Sequence, residues 1–261
     1  MEKMVWSGSG PIWLGDYDPE NGTEDMAYLT NLRRIGCGNR ALTLTPASEF
    51  TPIKESCSGQ DLDLDELPAG KSMAVGLTME QFSGIELAMA YFGEAIVTPA
   101  GTVTGEQLPE LAPGDYFFLR HPHASSVVIQ DSTGGTPLVY AAGTHYAVES
   151  AEHGAYRLIA HPASHVEPVE VDYAYAESVN IATMTVPQVE KGLVFFGQNH
   201  KKKKARIIVP RVTWRMNGDF GWITGGGTAA QLQFTGGAKY VPELEVDPTF
   251  GPYCKIDGLP S

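Results

Sequence analysis

The stretch TMEQFSGIELAMAYFG, residues 78–93, predicts the one helix of this chain. Thr78 and Gln81 have the spacing of a capping box, in which each side chain satisfies a backbone N–H of the first turn. Gly93 is typical of a helix stop. Spacings of three and four place four residues on one apolar face: Phe82, Ile85, Met89 and Phe92. The polar residues away from that face are Glu80, Ser83 and Glu86. Such a helix needs a surface to cover, and the rest of the chain predicts a sheet.

Turn residues and short β-type runs dominate the remainder of the 261 residues. The chain contains 29 Gly and 18 Pro, and 43% of its residues are hydrophobic, which is enough for a full core. Many turns beside a single helix favour a sandwich or barrel. The sequence therefore predicts a mainly-β fold, a β-sandwich or barrel with one flanking α-helix at about residues 78–92 and with extended arms and loops.

The formal net charge of −13 argues against affinity for DNA or for anionic membrane surfaces. The N-terminus MEKMVWSGSG has no apolar signal-peptide region, and no run of about eighteen apolar residues occurs, so we expect neither secretion nor membrane insertion. Cys37, Cys57 and Cys254 show no CxxC spacing. They are predicted to be reduced, structural cysteines.

Three regions are predicted from the pattern: an N-terminal arm (1–30), a β domain with inserted loops (31–240) and a C-terminal arm (241–261). The first arm mixes Trp6 and Trp13 with Gly, Pro and acidic residues and shows no regular period. Its aromatic residues must be covered, either by the chain's own core or by the surface of a neighbouring subunit. Both alternatives stay open at this point.

An acidic loop is predicted at Ser58–Lys71, after a hairpin within residues 31–58. The loop carries Asp61, Asp63 and Asp65 at alternate positions, which suggests a calcium loop of the EF-hand type. An EF-hand needs Gly at its sixth position and Glu at its twelfth, where this chain has Glu66 and Ser72. We therefore interpret the loop as solvated or facing a partner.

The clearest alternation of period 2 lies in Val166–Val179. The residues predicted to point to one side are Val169, Val171, Tyr173 and Tyr175. Glu170 and Asp172 point to the other side with small residues, so the strand has one apolar and one acidic face.

A hairpin is also predicted at Gly192–Met216, around the tip GQNHKKKK. Lysines 201–204 stand alone in an acidic protein and lack interleaved aromatics, so nucleic-acid contact is not the preferred interpretation. A solvated tip, or a tip that meets an acidic patch on a neighbouring subunit, fits better. The scattered histidines His121, His123, His161 and His165 lack HExxH or carboxylate spacing and are interpreted as turn and surface residues.

In order and pattern, these parts resemble the tail tube (major tail) proteins of long, non-contractile-tailed bacteriophages. The resemblance covers most of residues 30–236. It is carried by the aromatic arm before RRIGCGN (33–39), ALTLTPASEFTPIKES (41–56), SGQDLDLDELPAGK (58–71), SMAVGLTMEQFSGIELAMAYFG (72–93), VEVDYAYAES (169–178) and GLVFFGQNHKKKKARIIVPRVTW (192–214). Two departures are the segment Glu106–His165, which is longer than a minimal tube fold requires, and the lysine-rich tip.

The resemblance implies a virion protein that is made in the host cytoplasm and resides in the phage tail. Subunits of that family close into six-membered rings, and the rings stack into a hollow tube for genome delivery. The implied partners are further copies of the chain, the tape measure, terminator and distal tail proteins, and double-stranded DNA that passes without specific binding; no membrane, cofactor, metal or catalytic residue is implied. Candidate lumen-facing residues are Glu170, Asp172, Glu49 and Glu55. Candidate contacts between rings are Trp6, Trp13, Asp61, Asp63 and Asp65.

Two other classes of protein compete with this interpretation. An enzyme, such as a β-sandwich hydrolase, would need convergent acid, base or nucleophile residues, and no GxSxG, paired-carboxylate or metal spacing stands out. A capsid-decorating or carbohydrate-binding β module is the stronger rival because it shares the composition and turn density. The state of assembly discriminates between such a module and a tube subunit, since a tube subunit should form rings or filaments.

Overall fold

The computed structural model describes residues 6–245, 247 and 249–259. The helices are α1 (Gly84–Ala90) and two 3-10 turns, Glu24–Met26 and Pro242–Leu244. The strands are β1 (Gly8–Ser9), β2 (Ile12–Tyr17), β3 (Leu29–Arg34), β4 (Asn39–Lys54), β5 (Asp63–Met79), β6 (Glu94–Thr98), β7 (Gly101–Gln107), β8 (Tyr116–Phe118), β9 (Ala124–Gln130), β10 (Tyr146–Ser150), β11 (Ala155–Leu158), β12 (Glu170–Tyr175), β13 (Ser178–Ala182), β14 (Val189–Asn199), β15 (Lys204–Met216), β16 (Leu232–Ala238) and β17 (Lys255–Asp257). The described chain is thus mainly β with a single α-helix, which confirms the predicted class.

The chain divides into two compact units, and this division differs from the predicted one. Residues 96–180 form the inserted unit, and the described residues on either side of them form the main unit. The predicted β domain at 31–240 therefore contains a whole second unit, which includes the overlong segment Glu106–His165. Strands β6 and β13 pair with each other where the chain passes from one unit to the other and back.

The main unit is built on one antiparallel sheet with the strand order β3-β2-β14-β15-β16-β5-β4, while β1 pairs with β14 and β17 pairs with β15. At about 4.8 Å per strand, a flat sheet of this order would separate the outer strands by about 29 Å. Arg34 ends β3 and Asn39 begins β4, and this short link spans at most about 18 Å. The sheet must therefore curl, so that its two outer strands approach each other.

The core of the main unit lies between this sheet and α1. Its largest fully buried side chains come from β2, β5, β14, β15 and β16 and include Trp214, Ile12, Leu77, Met79, Leu193 and Leu232. From the helix, Met89 and Ala90 join the same cluster. The alternating burial of β5 and β16 reflects the period of a strand, which sends every second side chain inward.

Helix α1 is shorter than predicted and begins at a different cap. Thr78 is a β5 residue paired with Gln233, so it is extended and cannot cap a helix. Ser83 is the cap instead, and it forms a complete capping box with Glu86. The predicted apolar face is also wrong at two positions, because Ile85 is half exposed whereas Glu86 is buried. An ion pair with Arg33 supplies the partner that allows Glu86 to face inward.

Neither end of the chain is a simple arm. In the first thirty residues, β2 pairs with both β14 and β3, and Ile12 and Leu14 are core residues, so this part covers the chain's own core. In the predicted C-terminal arm, Val241, Leu244 and Phe250 are buried in a cluster with Ala27 and Leu29. For the first thirty residues this is one of the two alternatives that the sequence left open, cover by the chain's own core. The pairing itself was not visible in the sequence, because short aromatic or apolar runs without a period do not indicate their pairing partners.

The predicted hairpin within residues 31–58 and the predicted loop at Ser58–Lys71 are both wrong. β4 and β5 are each a long strand, and they pair with each other from Asn39–Met79 to Lys54–Asp63. The acidic run that resembled a loop is therefore the beginning of β5. The hairpin predicted at Gly192–Met216 is confirmed, since β14 pairs with β15 along most of their length.

The inserted unit contains two three-stranded sheets, ordered β7-β12-β9 and β10-β11-β8. Its core includes Phe117, Ile129, Tyr156 and Val171. The buried Asp131 holds a turn in place, because its carboxylate accepts hydrogen bonds from the backbone N–H groups of Leu138 at 2.7 Å and Val166 at 3.0 Å. The predicted alternation of Val166–Val179 is confirmed in β12, where Val171 and Tyr173 are buried.

All three cysteines are free. Cys37 and Cys57 are exposed and Cys254 is half-buried, so the first two do not have the predicted packing role. Within the described part of the chain, α1 and the 3-10 turns are all too short and too polar to cross a bilayer.

Candidate assembly interface

A long two-stranded ribbon extends beyond the body of the main unit. The last residues of β5 that pair with β16 are near Ala74, which lies opposite Gly237. From Asp63 to Ser72 every β5 residue is exposed, and its partner β4 is exposed from Thr45 to Pro52. At about 3.3 Å per residue, these ten β5 residues extend about 33 Å beyond β16. We call Pro46–Ser72 the projecting hairpin.

The projecting hairpin carries apolar side chains without a core to cover them. Phe50, Leu62 and Leu67 are more than half exposed, and Leu64 is 70% exposed. A two-stranded hairpin is at best marginally stable in water unless another surface packs against it. A ribbon of this length with apolar groups in solvent is therefore typical of a surface that a partner covers.

The predicted contact residues Asp61, Asp63 and Asp65 are all exposed at the end of this hairpin. Asp63 forms an ion pair with Lys54 across the two strands, which closes the ribbon next to its turn. Asp65 accepts a hydrogen bond from the backbone N–H of Glu66 at 2.8 Å. We call residues 55–66 the acidic tip, because these twelve positions contain five carboxylates and no Lys or Arg.

Two of the predicted lumen-facing residues also lie on the projecting hairpin. Glu49 is exposed on β4. Glu55 is half-buried at the turn, where its carboxylate accepts hydrogen bonds from the backbone N–H groups of Cys57 at 2.9 Å and Ser58 at 3.0 Å. These bonds, and above all the one from the Ser58 hydroxyl, lower the pKa of Glu55. Glu55 therefore stays ionised while it organises the turn.

The edge of the projecting hairpin is poorly suited to adding a further strand. β4 is an outer strand of the sheet, and it carries Pro46 and Pro52. Proline has no backbone N–H, so prolines on an edge strand interrupt the donors that another strand would need. Contacts of this hairpin with a partner are therefore expected to come mainly from side chains.

A second hairpin tip carries the opposite charge. Lys201, Lys202 and Lys204 are exposed at the turn between β14 and β15, together with His200. The side-chain oxygen of Asn199 accepts hydrogen bonds from the backbone N–H groups of Lys201 and Lys203, both at 2.9 Å, and so fixes the turn. We call residues 200–204 the lysine tip.

The predicted contact residues Trp6 and Trp13 pack against their own chain. Trp13 lies in β2, and its ring meets that of Phe196 at a centroid distance of 4.5 Å. Trp6 lies across Gly197, where an added Cβ would come within 2.8 Å of the indole. Trp6 keeps 41% of its surface exposed, and Phe196 keeps 45%. Part of this aromatic patch is thus still open to a partner.

Glu170 and Asp172 lie in the inserted unit, whereas Glu49 and Glu55 belong to the main unit. Both are half-buried on the central strand β12. The Asp172 carboxylate accepts a hydrogen bond from the Gly105 N–H at 2.7 Å and another from the Gln130 side chain at 3.4 Å. Asp172 therefore holds the bulged sheet together, which sequence alternation alone does not indicate.

The main unit also has a cleft of about 660 Å³ with charged walls. Lys191 pairs there with Asp16, which also accepts a hydrogen bond from the Asn31 side chain at 3.1 Å. Arg33 and Glu86 form a second pair in the same cleft. These pairs were not predicted, because the two members of each pair are far apart along the chain. Within each of these two pairs the opposite charges offset each other.

One histidine group in the inserted unit has ligand atoms close enough for a metal ion: His161, His165 and Glu167, all within 4.8 Å of one another. Glu167 was not among the residues considered from the sequence. The His161 ring already donates from Nε2 to the Leu111 carbonyl oxygen at 2.8 Å, and its Nδ1 accepts from the Tyr140 hydroxyl at 2.8 Å. Its ring is stacked on that of His165 at 3.9 Å. Hydrogen bonding and stacking thus account for this group without an ion.

Comparison with known proteins shows one family. Residues 5–257 match the family described as "Protein of unknown function UCP028589". No curated protein is significantly similar to the chain. Because the match spans nearly the whole sequence, the chain belongs to the UCP028589 family.

Proposed function

We propose that this protein is the subunit of a self-assembling hollow tube, the tail tube of a long-tailed bacteriophage. Copies would close into six-membered rings, and the rings would stack into a conduit for genome delivery. The other proposed partners are the tape measure, terminator and distal tail proteins, and the protein would reside in the virion tail. The proposal assigns no catalytic activity, cofactor or membrane.

The observation that carries the proposal is the projecting hairpin. Its residues from Asp63 to Ser72 are exposed on both faces, and it bears Phe50, Leu64 and Leu67 in solvent. A monomer gains little from keeping about 33 Å of ribbon outside its core. A neighbouring subunit would cover the ribbon and bury these side chains, and each fully buried apolar side chain is worth about 1.5 to 3 kcal/mol.

The body of the main unit supports the same proposal. Its sheet is curled, yet its path ends at β3 and β4, which are not paired with each other within the described residues. Two unpaired edge strands are available for contacts with neighbouring copies, as ring closure requires. Because the two edges differ, contacts between them favour a head-to-tail ring over a two-fold dimer.

The charge of the chain is compatible with DNA as cargo. Each copy carries a formal charge of −13, and a ring multiplies it by the number of subunits. Duplex DNA carries about one negative charge per 1.7 Å, so an acidic lumen would keep the genome from adhering to the wall. Glu170 and Glu49 are proposed lumen-facing residues, whereas the role of Asp172 in its own sheet makes it a weaker candidate.

One observation favours the alternative of a carbohydrate-binding or capsid-decorating module. In the inserted unit, Tyr116 and Phe118 lie on the same side of the edge strand β8 and are 60% and 67% exposed. Arg157 lies opposite Tyr116 and forms an ion pair with Glu149 at 3.0 Å. Exposed rings beside a hydrogen-bonding pair are typical of surfaces that bind sugars or proteins. Glycan-array binding by a monomeric protein would favour this alternative.

Electron microscopy of the purified protein tests the proposal. Over a range of protein concentrations, we expect six-membered rings with a central hole, and short tubes at the highest concentrations. A decorating or carbohydrate-binding module would remain monomeric or form trimers. Particles without a central hole at every concentration would contradict the tube.

A further inference from the structure

The chain contains two Asn-Gly pairs, Asn21-Gly22 and Asn217-Gly218. In such a pair the backbone nitrogen of Gly can attack the Asn side chain, because Gly has no Cβ to obstruct the approach. Both asparagines are exposed to solvent. The two pairs therefore share the same covalent chemistry and the same access to water, so any difference in their reactivity comes from the local structure.

The first pair is held in a hydrogen-bonded turn. The Asp18 carboxylate accepts hydrogen bonds from the Asn21 backbone N–H at 3.1 Å and from the Asn21 side-chain Nδ2 at 2.8 Å. The Gly22 N–H donates to the Asp18 carbonyl oxygen at 2.9 Å. A Cβ added at Gly22 would lie 2.2 Å from the Cα of Tyr28, so the backbone there is closely packed. The attacking nitrogen and the attacked amide are thus both engaged elsewhere.

The charge of Asp18 adds a second obstacle at the first pair. The hydrogen bond from the Asn21 side chain is the main cause that lowers the pKa of Asp18, so this carboxyl is ionised at neutral pH. Attack requires the Gly22 nitrogen to lose its proton, and the attacking nitrogen then carries a negative charge. A carboxylate in contact with the pair disfavours that charge, because like charges repel.

The second pair lacks these restraints. Asn217 follows the last residue of β15, and its backbone N–H donates to the Gln233 carbonyl oxygen at 2.8 Å. Among the described residues, neither the Asn217 side chain nor the Gly218 N–H has a hydrogen-bond partner. A Cβ added at Gly218 would meet no atom within 4 Å. Asp219 comes next and is exposed, but its carboxylate forms no hydrogen bond with the pair.

We propose that Asn217 is a site of spontaneous deamidation and that the fold protects Asn21 from the same reaction. The Gly218 nitrogen loses its proton to solvent and bonds to the Cγ of Asn217, and the side-chain nitrogen leaves as ammonia. Water then opens the cyclic succinimide at either carbonyl group, which gives aspartate or isoaspartate. Water is the only co-reactant, and nothing is oxidised or reduced. The inference concerns a single copy of the chain and does not depend on the proposed tube.

The modification changes a segment that packs beside α1. The ring of Phe220 meets that of Phe82 at a centroid distance of 5.4 Å, and the Trp222 indole N–H donates to the Tyr91 hydroxyl at 3.1 Å. Either product adds a carboxylate, which is ionised at neutral pH. Isoaspartate also adds a methylene to the backbone between β15 and these aromatic contacts. Deamidation thus alters both the charge and the path of the segment after β15.

Peptide mapping of aged protein tests the assignment. Dilute folded protein is kept in mildly alkaline heavy-oxygen water and digested, and mass spectrometry then measures the oxygen incorporated at each Asn-Gly pair. We expect Asn217 to deamidate roughly tenfold faster than Asn21 or more, because local structure restrains only the second of these residues. In guanidinium chloride the two rates should converge, since neither pair is then restrained. Equal rates in the folded protein, or faster reaction at Asn21, would overturn the assignment.

Matched variants test the structural cause. Asn217→Gln should remove the acidic species that accumulates on anion exchange during ageing, because Gln would have to close a larger ring, whereas Asn21→Gln should leave that species unchanged. Asp18→Ala removes the restraint on the first pair and should raise the deamidation rate at Asn21 toward that at Asn217. Circular dichroism checks that each variant is folded. Loss of the acidic species in Asn21→Gln, or an unchanged rate at Asn21 in Asp18→Ala, would contradict the proposal.

Discussion

Arg33 on β3 forms an ion pair with Glu86 on α1, and the Glu86 side chain is only 2% exposed. The same carboxylate accepts hydrogen bonds from the Ser83 backbone N–H at 2.6 Å and from the Ser83 hydroxyl at 2.5 Å. One buried group thus caps the helix and ties it to an outer strand of the main sheet. The pair also lines the charged cleft, where its members neutralise each other.

Replacing Glu86 with Gln should destabilise the fold. The amide cannot reproduce the charge-assisted bonds to both Arg33 and Ser83, and the loss of a cap and a buried hydrogen bond costs about 1 to 3 kcal/mol. Urea denaturation measures the free energy of unfolding. The matched control is Glu80→Gln, whose partner Arg40 is largely exposed, and it should cost less than about 1 kcal/mol. Equal losses for both variants would contradict the structural role of Glu86.

Stability should fall in acid, and Glu86 should contribute to the fall. Burial raises the pKa of Glu86, but the hydrogen bonds from Ser83 and the charge of Arg33 outweigh it, so the pKa is lowered from the ordinary value of 4.5. Near this pH the unfolded chain therefore binds more protons than the folded one. The contribution is complete above pH 4.5 and disappears as the pH falls through the folded pKa. In urea denaturation against pH, Glu86→Gln should have a flatter profile below pH 4.5 than the wild type, and parallel profiles would contradict this.

Two isoleucines test where the core lies. Ile12→Ala should cost about 2 to 5 kcal/mol, because Ile12 on β2 is fully buried in the core of the main unit. Ile85→Ala should change the free energy of unfolding by about 0.5 kcal/mol or less, since Ile85 is half exposed on α1. Thermal and urea unfolding give both values. A larger loss of unfolding free energy for Ile85→Ala than for Ile12→Ala would contradict these placements. It would instead support a peripheral N-terminal arm and the apolar helix face that the sequence predicts.

The sequence predicted the mainly-β class and the β14–β15 hairpin, because alternation and turn residues are local signals. The alternation of Val171 and Tyr173 with acidic residues was likewise readable in β12. Local signals did not distinguish Thr78 from Ser83 as the helix cap. Pairing with Gln233 decided that choice, and such pairing depends on residues far along the chain.

The candidate site was predicted only in part, because some of its features are local in the sequence and others depend on strand pairing. The acidic tip and the lysine tip were visible as runs of charge, and both are exposed turns. The strand character of Asp63–Ser72 was hidden by its acidic residues, Pro68 and Gly70, because propensity favours a loop there until β4 lies alongside. The sequence did not predict that residues 96–180 form a separate unit with its own core. The sequence patterns of its strands resemble those of the strands in the main unit.

Two acidic residues of β12 should behave differently although they alternate on the same face. Asp172→Ala should destabilise the inserted unit by about 1 to 3 kcal/mol, because it leaves the Gly105 N–H without its acceptor. Glu170→Ala removes the same charge from a half-buried side chain and should cost about 0.5 kcal/mol or less. Hydrogen exchange of the β7 and β12 amides measures the local effect. Similar exchange in the two variants would show that Asp172 has no special structural role.

The mass of the assembled particle, with and without the projecting hairpin, tests the central claim most directly. The shortened variant replaces residues 49–70 with an Asn-Gly turn, so that Ser48 and Lys71, which are paired in β4 and β5, remain joined. Native mass spectrometry of the wild type should show six times 28.1 kDa, or about 169 kDa, and multiples of that mass. The shortened variant should be monomeric yet melt within a few degrees of the wild type, because the removed residues are almost all exposed. A monomeric wild type, or a shortened variant that still forms the hexamer, would contradict the account.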